Sequence, residues 1–235
     1  MFPKIHKERD KNLSRVKLQF LTNSVALEVN EDVCQGCGIC IKVCPKQAME
    51  RGPVGDSKRN NKEDVIPTLV DPKECSYCGL CSYMCPWNAI TLYKDDEKVE
   101  LDDLDIVKHN AVPELEVTMR KCKDGVEDAK SYLEGEIEFK TENCAGGCNT
   151  CIEVCPTGAL TLEKPDAPWD KGRKIIVDKD KCIYCGTCTN ACPVFDAIKL
   201  TIKEVKTKGK YNEIFWNPVV ERLKISRMRD GKKIN

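Results

Sequence analysis

Aromatic residues make up only 6% of this 235-residue chain, and it has just two histidines. Small domains depend heavily on bulky side chains for their cores, so ordinary burial alone would leave this one thinly stabilised. No run of 18 apolar residues occurs, so no membrane-spanning helix is expected. The N-terminus has no apolar stretch followed by a small-residue cleavage site, so a cytoplasmic location is expected. Net charge is also missing: 38 basic and 38 acidic residues give a formal charge of zero, which supplies no general attraction to nucleic acid. No Gly-x-Gly-x-x-Gly turn follows a strand, and neither a P-loop nor a nucleophile elbow is present. A nicotinamide, flavin or nucleotide site is therefore not expected, nor a catalytic site of the chain's own. His6 and His109 have no partners at ligand spacing and read as surface residues.

What the chain has instead is cysteine. Sixteen of its 17 cysteines fall into four runs, each closing on Cys-Pro. Run one is Cys34, Cys37, Cys40 and Cys44; run two is Cys75, Cys78, Cys81 and Cys85. Run three is Cys144, Cys148, Cys151 and Cys155; run four is Cys182, Cys185, Cys188 and Cys192. Three runs follow C-x2-C-x2-C-x3-C-P, the spacing by which bacterial ferredoxins hold [4Fe–4S] clusters, and run three has one extra residue after its first cysteine. Thiolates are soft donors that select such clusters over hard cations. At four thiolates each, the sixteen provide for four [4Fe–4S] clusters. Zinc ribbons fit four thiols in one run poorly. The C-x3-C-x2-C spacing of run three matches radical S-adenosylmethionine enzymes, but Cys155-Pro156 follows at ferredoxin spacing, so a cubane, or a [3Fe–4S] cluster, is the reading there.

Runs two and four share Val-Asp upstream, Tyr-Cys-Gly, Cys-Pro and a later Ala-Ile. Runs one and three share an Ile-x-Val-Cys-Pro ending. The order is therefore A-B-A′-B′, a duplicated two-cluster unit. In two-cluster ferredoxins the fourth cysteine of each run ligates the other cluster. Sequential pairing then assigns Cys34, Cys37, Cys40 and Cys85 to one cluster and Cys75, Cys78, Cys81 and Cys44 to the next. In the second unit it assigns Cys144, Cys148, Cys151 and Cys192, then Cys182, Cys185, Cys188 and Cys155. A nested pairing, run one with four and two with three, is the alternative; the sequential one is preferred because a duplicated unit should fold alone.

Short strands are expected before the runs at residues 25–29, 66–70, 136–139 and 174–177, and after them at 89–92, 159–162 and 197–202. The fold class is α+β: two tandem bacterial 2[4Fe–4S] ferredoxin-like domains at 25–100 and 136–206. A bridge, 101–135, with a short helix beginning near Gly125, joins them. Residues 1–24 read as a basic N-terminal extension and 207–235 as a basic C-terminal tail. Phe2, Phe20, Ile214, Phe215 and Trp216 are expected to anchor these segments on a partner. Gly38, Gly79 and Gly186 follow the second cysteine of their runs and permit positive φ there; Asn149 replaces that glycine in run three. Tyr77 and Tyr184 are expected to pack on clusters, and Cys122 reads as an incidental thiol.

These tandem runs, the Gly52-Pro53-Val54-Gly55 loop and Cys192-Pro193-Val194 resemble the archaeal polyferredoxins. Within them the chain is most similar to the polyferredoxin subunit of tungsten- or molybdenum-dependent formylmethanofuran dehydrogenase, over about residues 25–205. That subunit is typically twice as long with eight clusters, a departure from this chain. The resemblance implies electron relay in methanogenesis or its reversal, with metallopterin, hydrogenase or heterodisulfide reductase-type subunits as partners. A nested iron–sulfur subunit of a hydrogenase or formate dehydrogenase, and a diffusible ferredoxin, are the competing functions.

Overall fold

The computed structural model describes residues 3–51, 68–70, 72–144, 148–163, 174–194, 196–226, 228–229 and 232–233. The Gly52-Pro53-Val54-Gly55 loop, the extra residue of run three and the insert at 164–173 lie outside them. Short helices and antiparallel strands alternate throughout, as the cysteine runs and flanking β-branched segments require.

The first unit begins with a hairpin, β1 (Lys4–Asp10) and β2 (Leu13–Gln19), followed by β3 (Ser24–Asn30), α1 (Ile39–Val43), β4 (Met49–Arg51), β5 (Thr68–Val70), α2 (Leu80–Tyr83), β6 (Ile90–Lys94) and β7 (Glu97–Lys98). β3 pairs with β6, and β4 with β5. The bridge carries α3 (Asp105–Lys108), β8 (Glu114–Leu115), β9 (Thr118–Arg120) and β10 (Ala129–Ser131). The second unit repeats the first with β11 (Leu133–Phe139), α4 (Thr150–Glu153), β12 (Leu160–Leu162), β13 (Ile175–Val177), α5 (Thr187–Ala191) and β14 (Ile198–Val205). β11 pairs with β14 and β12 with β13, so first strand meets last and the middle two pair, twice over. After β14 come β15 (Thr207–Lys208), which pairs with β8, then α6 (Glu213–Leu223) and a terminal hairpin, Met228–Arg229 with Lys232–Lys233.

Gly38, Gly79 and Gly186 each open a short helix in the left-handed region, with φ of 73°, 80° and 89°. At Gly79 a Cβ would come within 2.4 Å of Leu104 Cδ2, so the bridge lies directly on run two. Gly135 sits at a register shift between β11 and β14, and a Cβ there would come within 2.4 Å of the Thr201 carbonyl. The first core is large, with Leu27, Val43, Leu80, Met84 and Leu92 nearly inaccessible. The second is small: Ala159, Leu160, Ala197 and Ile198 are packed with Cys151, Cys155 and Cys188.

Three details depart from the sequence reading. Residues 4–19 are not a separate extension: β1 and β2 continue the β3–β6 sheet to five strands, in the order β1-β2-β3-β6-β7. Val16 and Leu18 alternate inward from β2, which is why the hairpin docks. Its cations are answered from the acidic stretch of the same unit, with Asp96 accepting from Arg15 (2.6 Å) and Lys17 (2.5 Å). The C-terminal segment folds back as well. α6 packs on α1 with Trp216, Val219 and Leu223 buried, while Ile214 stays exposed. Asn212 caps α6 by accepting from the Ile214 and Phe215 amides (2.9 and 3.3 Å). Finally, the bridge has no helix near Gly125; Ala129–Ser131 and Leu133–Phe139 are strands, with α3 earlier.

Candidate iron–sulfur centres

Local geometry repeats at runs one, two and four. The residue before the second cysteine is left-handed in runs one, two and four: Gly36 (φ 67°), Tyr77 (φ 51°) and Tyr184 (φ 54°). For the tyrosines this costs about 1–2 kcal/mol each. The glycine after that cysteine is left-handed too, so the chain curls around the sulfur. Tyr77 N–H donates to Cys75 Sγ at 3.4 Å. A second curl, not anticipated from the sequence, follows Cys-Pro in runs one, two and three. Gln47, Asn88 and Gly158 are left-handed, with amides donating to the Cys44, Cys85 and Cys155 carbonyls. The next amide then reaches the fourth sulfur: Ala48 N–H to Cys44 Sγ and Ala89 N–H to Cys85 Sγ, both 3.3 Å. The signal was there as Cys-Pro-x-(Gln/Asn/Gly)-Ala, since Asn and Gly tolerate this backbone best. Such hydrogen bonds to sulfur tune cluster potentials. In the second unit threonine hydroxyls join in: Cys185 Sγ lies 3.4 Å from Thr187 Oγ1, and Cys155 Sγ 3.7 Å from Thr157 Oγ1.

The sixteen thiols gather across runs. Burial pushes the Cys37 thiol well up, and the neighbouring Cys185, Cys40 and Cys85 thiols push the same way. Burial, then Cys40, Cys78, Cys75 and Cys44, does likewise at Cys81. Cys151 is raised to about 11 by burial, with Cys192, Cys144 and Cys148 adding to it. Cys182 is raised to about 12 by burial, with Cys185 and Cys155 among its neighbours. Cys188 stands well up for the same reason, beside Cys185, Cys182 and Cys155. Cys85 and Cys185 thus neighbour Cys37 of run one, Cys40 and Cys44 neighbour Cys81 of run two, Cys192 neighbours Cys151 of run three, and Cys155 neighbours Cys182 and Cys188 of run four. Cys34 completes run one directly after β3, its amide bonded to the Asn30 carbonyl. Without a metal these buried thiols are neutral, and loading must displace their protons.

One gathering encloses measurable space. Cys144, Cys148, Cys151 and Cys192 line a small pocket, open in part to solvent, with Phe139 and Ile198 in its wall. Its polar donors are almost all sulfur, the donor chemistry an iron–sulfur cluster requires. Among the described residues no group of three or more His, Cys, Asp or Glu is drawn together as a single ion would need. Cationic groups border the run-one thiols. Lys42 is buried, its ammonium pulled down to about 8 by burial against the opposing field of Cys37 and Cys185. Burial also lowers Lys130, opposed by Cys85.

Tyr77 and Tyr184 are partly buried beside their runs. Cys122 lies in the bridge, its thiol raised by burial, with the Trp87 side chain beside it. His6 is exposed on β1. A residue that sequence reasoning missed is Tyr132, fully buried beside Cys37, Cys85, Cys185 and Cys40, its hydroxyl donating to the Met84 carbonyl. No motif marks it, because only the tertiary fold brings the bridge between the runs.

Comparison with known proteins agrees with this arrangement. The 4Fe-4S dicluster domain family matches residues 33–89, 74–159 and 143–195, and a second 4Fe-4S dicluster family matches 174–222. The chain belongs to the 4Fe-4S dicluster domain family. Among curated relatives of these dicluster proteins, polyferredoxin protein MvhB of Methanothermobacter marburgensis is 40% identical over 50 residues, 20% of this chain and 12% of that protein. NADH-quinone oxidoreductase subunit I 2 of Geobacter metallireducens is 41% identical over 56 residues, 23% of this chain and 42% of that one. The chain thus spans well under half of the curated relatives it matches. A solved chain of the formate dehydrogenase–heterodisulfide reductase–formylmethanofuran dehydrogenase complex of Methanospirillum hungatei superposes with a TM-score of 0.81 at 29% identity, covering 96% of this chain and 92% of that one. No helix among the described residues is long and apolar enough to cross a membrane.

Proposed function

We propose that this chain is an electron-relay subunit of a multi-subunit oxidoreductase, holding four [4Fe–4S] clusters and no catalytic site of its own. The observation that carries this reading is the likeness, over 96% of the chain, to a component of a formate dehydrogenase–heterodisulfide reductase–formylmethanofuran dehydrogenase complex. A role beside formylmethanofuran dehydrogenase, in methanogenesis or its reversal, is the finer form of the reading, with metallopterin or heterodisulfide reductase-type subunits as partners. Of the expected anchors, Trp216 is buried within the chain itself and Phe215 partly so, Phe20 and Ile214 are exposed, and Phe2 lies outside the described residues.

The ligand sets proposed are Cys34, Cys37, Cys40 and Cys85; Cys75, Cys78, Cys81 and Cys44; Cys144, Cys148, Cys151 and Cys192; and Cys182, Cys185, Cys188 and Cys155. The crossed thiol neighbours and the cavity lined by Cys144, Cys148, Cys151 and Cys192 support them. When bound, the clusters supply reversible one-electron storage. The chain's own residues bury them, donate hydrogen bonds to sulfur, and place Lys42 and Lys130 against the thiolate charge.

Anaerobic iron and acid-labile sulfide analysis should give about sixteen irons per chain. Stoichiometric zinc with little iron would falsify the relay. In Cys85→Ala, the loaded chain should hold about twelve to fourteen irons, with loss or conversion of the run-one signal in Mössbauer and EPR spectra. A change confined to the run-three signal would favour the nested pairing.

A further inference from the structure

We propose that the four thiol sets form a single line in the order run two, run one, run four, run three, and that its middle junction is a seam built by Asn190, Tyr132 and the β9–β10 hairpin. The proposal rests on the cluster reading above and adds to it the order of the relay and the residues that position its centre.

Within each unit the neighbours follow from the helices: α1 packs on α2, and α4 on α5. The junction between units is made by other groups. Asn190 is buried on α5 of the second unit, and its Nδ2 donates to the Cys37 carbonyl (2.7 Å) and to the Gly36 carbonyl (3.3 Å) of the first. Run four therefore hydrogen-bonds the loop that wraps the second sulfur of run one. Glycines on both sides allow the approach. A Cβ at Gly38 would come within 2.8 Å of Asn190 Nδ2, and one at Gly186 within 3.6 Å of the Cys37 carbonyl. The electrostatic neighbourhood of Cys37 and Cys185 agrees.

The bridge closes the other side. Lys130 N–H donates to the Pro86 carbonyl (2.9 Å) and Lys123 N–H to the Pro156 carbonyl (2.8 Å). Pro86 follows Cys85, and Pro156 follows Cys155. These are the crossed fourth thiols of the run-one and run-four sets, so one hairpin clasps both Cys-Pro turns at the junction. Lys123 Nζ adds a bond to the Ile152 carbonyl (2.9 Å). Tyr132, next along the chain, fills the space between the two sets, its hydroxyl held by the Met84 carbonyl. The bridge is thus a clasp, and the run-two and run-three sets are left at the two ends.

The test uses the full-length, anaerobically loaded chain. Asn190→Ala, Tyr132→Phe and the double variant are compared with wild type by iron content, EPR of the fully reduced protein, and amide exchange. The double variant is expected to keep its iron and lose at least half of the magnetic interaction between the two units, leaving interactions within units unchanged. The Lys123 and Lys130 amides are expected to be protected in wild type, and to exchange roughly tenfold faster in the double variant, the change one hydrogen bond of ordinary strength makes. Full iron with an unaltered inter-unit interaction in the double variant overturns the seam. So do unprotected Lys123 and Lys130 amides in loaded wild type, which decides the matter even if the variants lose iron. A wild-type chain that protects both amides but binds no iron would sink the cluster reading alone.

Discussion

Replacing Trp216 with alanine is expected to destabilise the loaded chain by about 3–5 kcal/mol, the range for deleting a buried tryptophan side chain. Trp216, Val219 and Leu223 are nearly inaccessible on one face of α6, at the spacing that stacks side chains along a helix. That face rests on α1, which has only five residues and carries Cys40 into the turn at Cys44. A helix so short does not persist without tertiary support. Its last carbonyls, left without partners in the helix, are taken up by the tail: Arg222 Nε donates to the Lys42 carbonyl (2.9 Å) and Nη2 to that of Val43 (3.1 Å). Beyond α6, Ser226 Oγ accepts from the Leu200 amide on β14 (2.9 Å), so the tail also reaches the second unit. Loss of the indole should therefore lower both stability and the iron held by runs one and two. Ile214→Ala on the exposed face should stay within about 0.5 kcal/mol of wild type. Anaerobic denaturant unfolding with iron analysis checks this. A Trp216→Ala chain losing less than about 1 kcal/mol, with full iron, would show that α6 is dispensable.

This behaviour was only partly legible in the sequence. The four runs, the duplication and the flanking strands could be read because cysteine spacing is rigid and the β-branched residues beside it are local signals. β3, β6, β11 and β14 fall where alternation placed them. The tails were read as separate extensions because their charge hid their pattern. Val16-Lys17-Leu18 alternates as a half-buried strand does, but among basic residues it looked solvated. Phe215, Trp216, Val219, Val220 and Leu223 mark a helical face after the Asn212 cap, interrupted by Pro218, which removes one helical hydrogen bond. The roles of Tyr132 and Asn190 could not have been found by pattern. Each owes its role to contacts with a run far away in the chain: Tyr132 lies in no distinctive motif, and Asn190 is one of the spacer residues of run four.

Removing iron should abolish the fold unevenly, the second unit first. Leu133, Leu200, Ile202 and Val205 of β11 and β14 pack into the large first core, but the separate small core at runs three and four has seven buried residues, three of them cysteines and the rest two alanines, Leu160 and Ile198. Burying a leucine or isoleucine contributes only about 1.5–3 kcal/mol, and alanine less, against about 1–2 kcal/mol for each backbone residue ordered. Metal binding to a site absent from the unfolded chain adds directly to folding stability, so here the clusters are the core. The first unit has more of its own: the five-stranded sheet, Leu27, Leu80, Met84 and Leu92, and the cover of α6. Anaerobic chelation followed by amide exchange resolves the two. The β12 and β13 amides should lose protection completely, while β2 and β3 retain some. A metal-free chain that keeps β12–β13 protected would mean that this small core suffices without its clusters. Uniform loss across both units would mean instead that the seam makes them one cooperative body, since the collapse of one then takes the other with it.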